Sequence, residues 1–171
     1  MGVKDRFTWA TAILDIASDD RILEIGCGAG LFAEQIVKHL DQGSITAIDR
    51  SAAMIKLASK KNAAGVAAGR ANFLHLDFVE SAFNKSQFDK IVAFNVNFFW
   101  KKPKEEFRII KQIMKPTGQL YIFYQAPTWL REEATQPIKK NLEENYLEVT
   151  HSFVEKMNPT PVFCIQARHN K

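Results

Sequence analysis

The apolar positions of this chain change period several times, and each change marks an element. Phe7, Ala10, Ile13, Leu14 and Ala17 recur at helical spacing and predict a leading helix over residues 5–17. Residues 21–25, with Ile22, Leu23 and Ile25, read as a buried-type strand. Phe32, Ile36, Val37 and Leu40 then make one stripe of a helix over 31–40, with Glu34, Gln35 and Lys38 turned away. Residues 44–48 read as a second strand ending at Asp49, and Ser51 as the N-cap of a helix reaching about Lys61. Strands follow over 72–76 and 90–94. Pro103 suits the first turn of a helix bearing Phe107, Ile110 and Ile113, and Lys115-Pro116-Thr117-Gly118 turns the chain into a strand over 119–124.

The last part has a different rhythm. A helix opens near Pro137, with Ile138, Leu142 and Tyr146 spaced by four. Residues 147–154 and 162–168 then alternate, joined by a loop containing Asn158-Pro159-Thr160-Pro161. A connection so short cannot join parallel strands, so the sheet closes in an antiparallel hairpin. Strands alternating with helices before that hairpin predict an α/β fold, a doubly wound and mostly parallel sheet flanked by helices. The expected organisation is a single domain over 1–171: a leading helix (1–20), a ligand-binding core (21–125), and the last helix with its hairpin (126–171).

Candidate chemistry begins at Glu24-Ile25-Gly26-Cys27-Gly28-Ala29-Gly30, where a buried strand enters a glycine-rich turn and then a helix. Glycine is required where backbone turns sharply or approaches a ligand closely. Asp49 ends the next strand, 19 residues after Gly30, which in a doubly wound sheet puts its carboxylate beside that loop and within reach of ribose hydroxyls. The bland alternatives are a structural turn and a helix-start charge. Gly28-Ala29-Gly30-Leu31-Phe32-Ala33 also fits the dinucleotide fingerprint, so an NAD-binding protein is a rival. Against it stand Glu24 ahead of the glycines, the pair Asp77-Phe78 at the third strand's end, and the closing hairpin.

The blocks LEIGCGAG, ITAIDRSAAMIKLA, FLHLDF, FDKIVAFNVNFFW and FRIIKQIMKPTGQLYIF, in this order, resemble the class I S-adenosylmethionine-dependent methyltransferases, especially their small single-domain members. The resemblance runs from about Arg21 to Arg168. It implies a seven-stranded sheet in the order 3-2-1-4-5-7-6 with one antiparallel strand, and methyl transfer from S-adenosylmethionine, with S-adenosylhomocysteine as product. It also implies that Glu24, Gly26, Gly28 and Gly30 form the loop at the methionine end and that Asp49 takes the ribose hydroxyls. Arg50 and Met54 would flank the adenine, Asp77 would take its amino group with Phe78 near the ring, and Asn95 would offer its carbonyl to the ammonium. Thr117 stands where the family's turn has its first glycine.

The acceptor is expected over the carboxyl edge of the sheet, near Asn95-Val96-Asn97-Phe98-Phe99-Trp100, with Tyr124, Trp129 and the 158–161 loop bordering it. No catalytic residue is identified by motif, and Asn97 and Tyr124 are the candidates for that role. The prolines of the nucleic-acid amino-methyltransferase motif are missing here, and no large insertion is available to shape a substrate site, which favours a small acceptor. A net charge of +4 keeps a nucleic-acid or protein acceptor open. His39, His75, His151 and His169 are scattered, with His151 expected to be half-buried, and no metal-ligand spacing exists. Two cysteines give no disulfide framework, and no window of roughly 18 apolar residues offers a membrane span, so a cytoplasmic location is expected.

Overall fold

Ile22, Leu23, Glu24 and Ile25 are all buried, as an interior strand of a parallel sheet requires. In the computed structural model, which describes residues 5–125 and 132–170, that strand is β1 (Arg21–Ile25). Around it the chain forms α1 (Arg6–Leu14), α2 (Leu31–Val37), β2 (Ser44–Asp49), α3 (Ala52–Lys61), α4 (Ala63–Ala67), β3 (Ala71–His75) and β4 (Phe88–Phe94). It continues through α5 (Lys104–Ile113), β5 (Met114–Gln125), α6 (Gln136–Glu144), β6 (Leu147–Glu155) and β7 (Val162–His169). Single 3-10 turns lie at Phe78–Glu80, Asn97–Trp100 and Glu132–Thr135.

The seven strands lie in the order β3-β2-β1-β4-β5-β7-β6, and β7 runs antiparallel to both β5 and β6 while the other neighbours are parallel. Fold class, strand order and closing hairpin are those expected. The chain winds outward from β1 to β3 and restarts at β4 on the other side of β1. The topological switch therefore falls between β1 and β4, where open α/β sheets take their ligands at the carboxyl edge.

Alternation along each strand divides the core into two layers. Ile22, Val92, Phe94, Tyr121, Phe123 and Cys164 pack with α1 and α2 through residues such as Trp9, Leu14, Phe32 and Ile36. Leu23, Ile25, Ile91, Ala93, Leu120, Ile122 and Ile165 pack with α5 and α6 through Phe107, Ile110, Ile113, Ile138 and Leu142. Removing this much apolar surface from water is the main source of the fold's stability.

Several boundaries differ from the pattern-based expectation. The first helix stops at Leu14 because Asp15 takes a left-handed backbone. The second stops at Val37, where Lys38, His39 and Leu40 switch to bonds from three residues back and tighten the last turn. The segment 115–118 is an irregularity inside β5, since Phe88 pairs with Met114 and Lys90 with Gln119. The helix α4 and the 3-10 turns were not expected. His151 is exposed, its ring stacked 5.6 Å from Phe153, because the register of β6 shifts between Val149 and His151. Trp129 lies outside the described residues.

Candidate active site

The glycine loop is fixed by backbone bonds to β2. The amides of Gly26 and Cys27 both donate to the Ile48 carbonyl, at 2.9 and 3.0 Å, and Gly30 N donates to Cys27 O at 3.0 Å. Gly26, Gly28 and Gly30 have φ of +73°, +52° and +75°, a left-handed region that costs other residues about 1–2 kcal/mol. The three differ in what surrounds them. A Cβ on Gly26 would lie 2.9 Å from Val96 Cγ2, and one on Gly30 would lie 2.8 Å from both Ala58 Cβ and Asn62 Nδ2. A Cβ on Gly28 would meet nothing within 4 Å. Packing thus explains two of the glycines, while Gly28 leaves bare backbone facing open space. Asn62, a buried residue the sequence reading passed over, locks this arrangement by donating to Gly30 O at 3.1 Å and Ala58 O at 2.9 Å.

Asp49 stands beside the loop. Its Oδ2 accepts from Gly28 N and its Oδ1 from Ser51 N, each at 2.9 Å, so the carboxylate joins the loop to the start of α3. Ser51 caps that helix by accepting from Met54 N. Glu24 is buried on β1, where loss of water and then the nearby Asp49 charge push its carboxyl up to about 8, partly offset by the Ala33 amide. Its Oε2 has no hydrogen-bond partner. A buried acid with an unfilled oxygen, next to bare backbone, suits a ligand that brings a cation. Cys27 in the same loop is no nucleophile, because burial, then Glu24 and Asp49, push its thiol upward.

Farther along the edge, Asp77 accepts from Val79 N at 3.3 Å and lies 3.9 Å from the exposed Arg50 guanidinium. His75 meets the Arg50 carbonyl at 3.0 Å. Phe78 is buried, parallel to Phe98 with centroids 6.1 Å apart, so it forms floor rather than an open face. Met54 is exposed.

Across the switch point, Asn95 follows β4 with a left-handed φ of 58°. Its Oδ1 accepts from Gln125 N at 2.8 Å, tying the ends of β4 and β5 together. The structure brings Asn97 and Tyr124 into contact: the Tyr124 hydroxyl donates to Asn97 Oδ1 at 3.2 Å, and the Trp100 ring lies edge-on 4.0 Å from Tyr124. The start of α1 also reaches this side, with Arg6 Nη1 donating to Gln125 Oε1 at 2.8 Å. Periodicity gave no signal for Arg6 or Gln125. Among the described residues no group of three or more His, Cys, Asp or Glu gathers for a metal, and no helix is long and apolar enough to cross a membrane.

This strand order with a glycine loop at its switch point defines a class I Rossmann-like α/β protein. Residues 22–118 match the model of the methyltransferase domain family, so the chain belongs to that family. It is 30% identical to the malonyl-[acyl-carrier protein] O-methyltransferase of Paenibacillus sp. over 142 residues, 80% of this chain and 47% of that one. To the protein of the same name in Priestia megaterium it is 36% identical over 101 residues, 58% of this chain and 34% of that one. The chain thus spans half or less of the length of these relatives. A SAM dependent methyltransferase from Aquifex aeolicus shares the fold with a TM-score of 0.77 at 17% identity, covering 95% of this chain and 88% of that one.

Proposed function

We propose that this chain transfers a methyl group from S-adenosylmethionine to a small-molecule acceptor. The observation that carries the reading is the unpartnered Glu24 Oε2, buried near the charge of Asp49, whose Oδ2 accepts from the bare Gly28 amide. Bound there, the cofactor supplies a methyl group already activated on a sulfonium, with a neutral thioether as leaving group.

Asp49 holds the ribose. Each of its oxygens already accepts one amide, and a carboxylate offers about four lone-pair sites, so one remains on each oxygen for the two hydroxyls. Gly26, Gly28 and Gly30 keep the backbone low enough for close approach, and Glu24 balances the ammonium together with the Asn95 carbonyl. Arg50 and Met54 flank the adenine, Asp77 accepts from its amino group, and Phe78 supports that end from below.

On the acceptor side the chain's task is alignment and the exclusion of water, which supplies most of the acceleration such a reaction requires. Tyr124 gives its proton to Asn97, so its oxygen keeps lone pairs with which to receive an acceptor O–H or N–H. Trp100 limits how that hydroxyl can turn. Two relatives named malonyl-[acyl-carrier protein] O-methyltransferases support an oxygen acceptor. The test is transfer from methyl-labelled cofactor into separate pools of small molecules, RNA and protein. Label in the small-molecule pool is expected; label confined to RNA or protein overturns the acceptor class, and no label in any pool overturns the activity.

A further inference from the structure

Arg6 occupies an unusual position for a cation. Its guanidinium carbon lies 4.6 Å from the Phe7 ring centroid and 5.3 Å from that of Phe94, the last residue of β4. One of its nitrogens is held by the neutral amide of Gln125. Gln125 is itself fixed from two directions, its Nε2 donating to Thr160 O at 3.3 Å and its backbone amide to Asn95 Oδ1. The side chain is half-buried, yet among the described residues no carboxylate pairs with it. A guanidinium carries five N–H donors in a planar fork, and one hydrogen bond leaves most of that fork unused. Partial burial without a counter-charge is costly, and the planar fork matches the two oxygens of a carboxylate or phosphate.

The location gives this cation its meaning. Arg6 lies against Phe94 at the end of β4 and bonds Gln125, whose backbone amide bonds Asn95, on the side of the switch point where the acceptor approaches. Two phenyl rings orient it, and a fixed glutamine keeps it from swinging into solvent. We propose that Arg6 is the specificity-determining residue for the acceptor, and that the acceptor is a small molecule with an acidic group, a carboxylate or phosphate, that docks on this guanidinium. Gln125 is the positioning residue that presents it. The inference rests on the reading of this edge as the acceptor side of a methyltransferase site.

Calorimetric titration with benzoate, phenyl phosphate and benzamide tests it, on the parent, Arg6→Met and Arg6→Lys, each with and without saturating S-adenosylhomocysteine. In the parent, one or both acids bind about tenfold or more tighter than the matched amide, as a charge-assisted paired contact provides. Whichever acid binds tighter identifies the docking group. Arg6→Met abolishes the preference and Arg6→Lys, with charge but no fork, retains part of it, while S-adenosylhomocysteine affinity stays at the parent level in both. No preference for acid over amide in the parent, including no binding of either acid, overturns the proposal, as does a preference that survives in Arg6→Met. Failure of S-adenosylhomocysteine to bind the parent strikes the cofactor reading instead, and the titrations without it keep the two apart.

Discussion

On the β1–β2–β3 side of the sheet's carboxyl edge the site is made largely of backbone: left-handed glycines, amides bonded to a neighbouring strand, and a carboxylate clamped by two amides. On the β4–β5–β7 side it is made of side chains that reach one another across long stretches of sequence, as Arg6 reaches Gln125 and Asn97 reaches Tyr124. The first half is rigid and allows little substitution. The second can change its lining without disturbing the sheet. One fold can therefore keep one cofactor while acceptors differ, because the two tasks rest on different kinds of structure.

Four measurements sharpen or break that contrast, beginning with the largest effect. Glu24 holds its proton to about 8 in the folded chain against an ordinary value of 4.5, so its folded pKa is raised. Stability is then fully present below about pH 4.5 and falls by about 1.4 kcal/mol per pH unit as pH rises toward 8. Denaturant titrations from pH 5 to 8 should show this slope in the parent and lose it in Glu24→Gln. The same raised pKa predicts proton release when the ammonium of S-adenosylhomocysteine binds beside Glu24 at pH 7, visible as a dependence of calorimetric enthalpy on the buffer.

Next comes Gly30→Ala. Left-handed strain and the clash with Ala58 and Asn62 together cost about 2–5 kcal/mol. Gly28→Ala, which has the strain but open space around the Cβ, should cost only about 1–2 kcal/mol in thermal or urea unfolding while weakening cofactor binding. If the two variants unfold alike, packing does not separate these glycines.

Asp49→Ala should lower S-adenosylhomocysteine affinity by about tenfold or more, since each charge-assisted bond is worth roughly 1.5–3 kcal/mol. It should also destabilise the chain by about 1–3 kcal/mol, because the Gly28 and Ser51 amides lose their acceptor. Unchanged affinity would mean that Asp49 only joins loop to helix. The smallest effect belongs to Tyr124→Phe: loss of an exposed bond to Asn97 should cost under about 1 kcal/mol of stability and leave S-adenosylhomocysteine binding intact, with any kinetic change falling on the acceptor's kcat/KM. A weaker cofactor affinity in this variant would erase the division between the halves.

The same division decides what could be read before the structure. All seven strands and the glycine loop were legible because local order encodes them: short strand-like apolar stretches in the parallel part, alternation in the last two strands, closely spaced glycines, an acid ending the next strand. The helix α4 was not, since Ala63-Ala64-Gly65-Val66-Ala67 buries only Gly65 and carries no stripe. The exposure of His151 depends on a register shift that alternation cannot announce. Asn97 and Tyr124 were singled out one at a time, and their contact is a product of the crossover from β4 to β5. Arg6 gave no sign because, beyond the adjacent Phe7, its partners Phe94 and Gln125 are brought to it only by the fold, Gln125 from 119 residues away. The roles expected of Glu24, Asp77 and Asn95 rest on resemblance, whereas Asp49 is also placed beside the loop by its position at the end of the second strand.

The buried Asn62 has a consequence for sequence drift. It ties the carbonyls of residues 30 and 58 together, while the space above Gly30 is filled by Ala58 itself. Positions 30, 58 and 62 therefore form one unit of variation. A larger residue at 58 has nowhere to go unless the loop shifts, and a shifted loop loses its bond to Asn62. Among descendants of this chain the three should change together or not at all, so that a helix on one face of the sheet restricts the amino acids available to a loop at its edge.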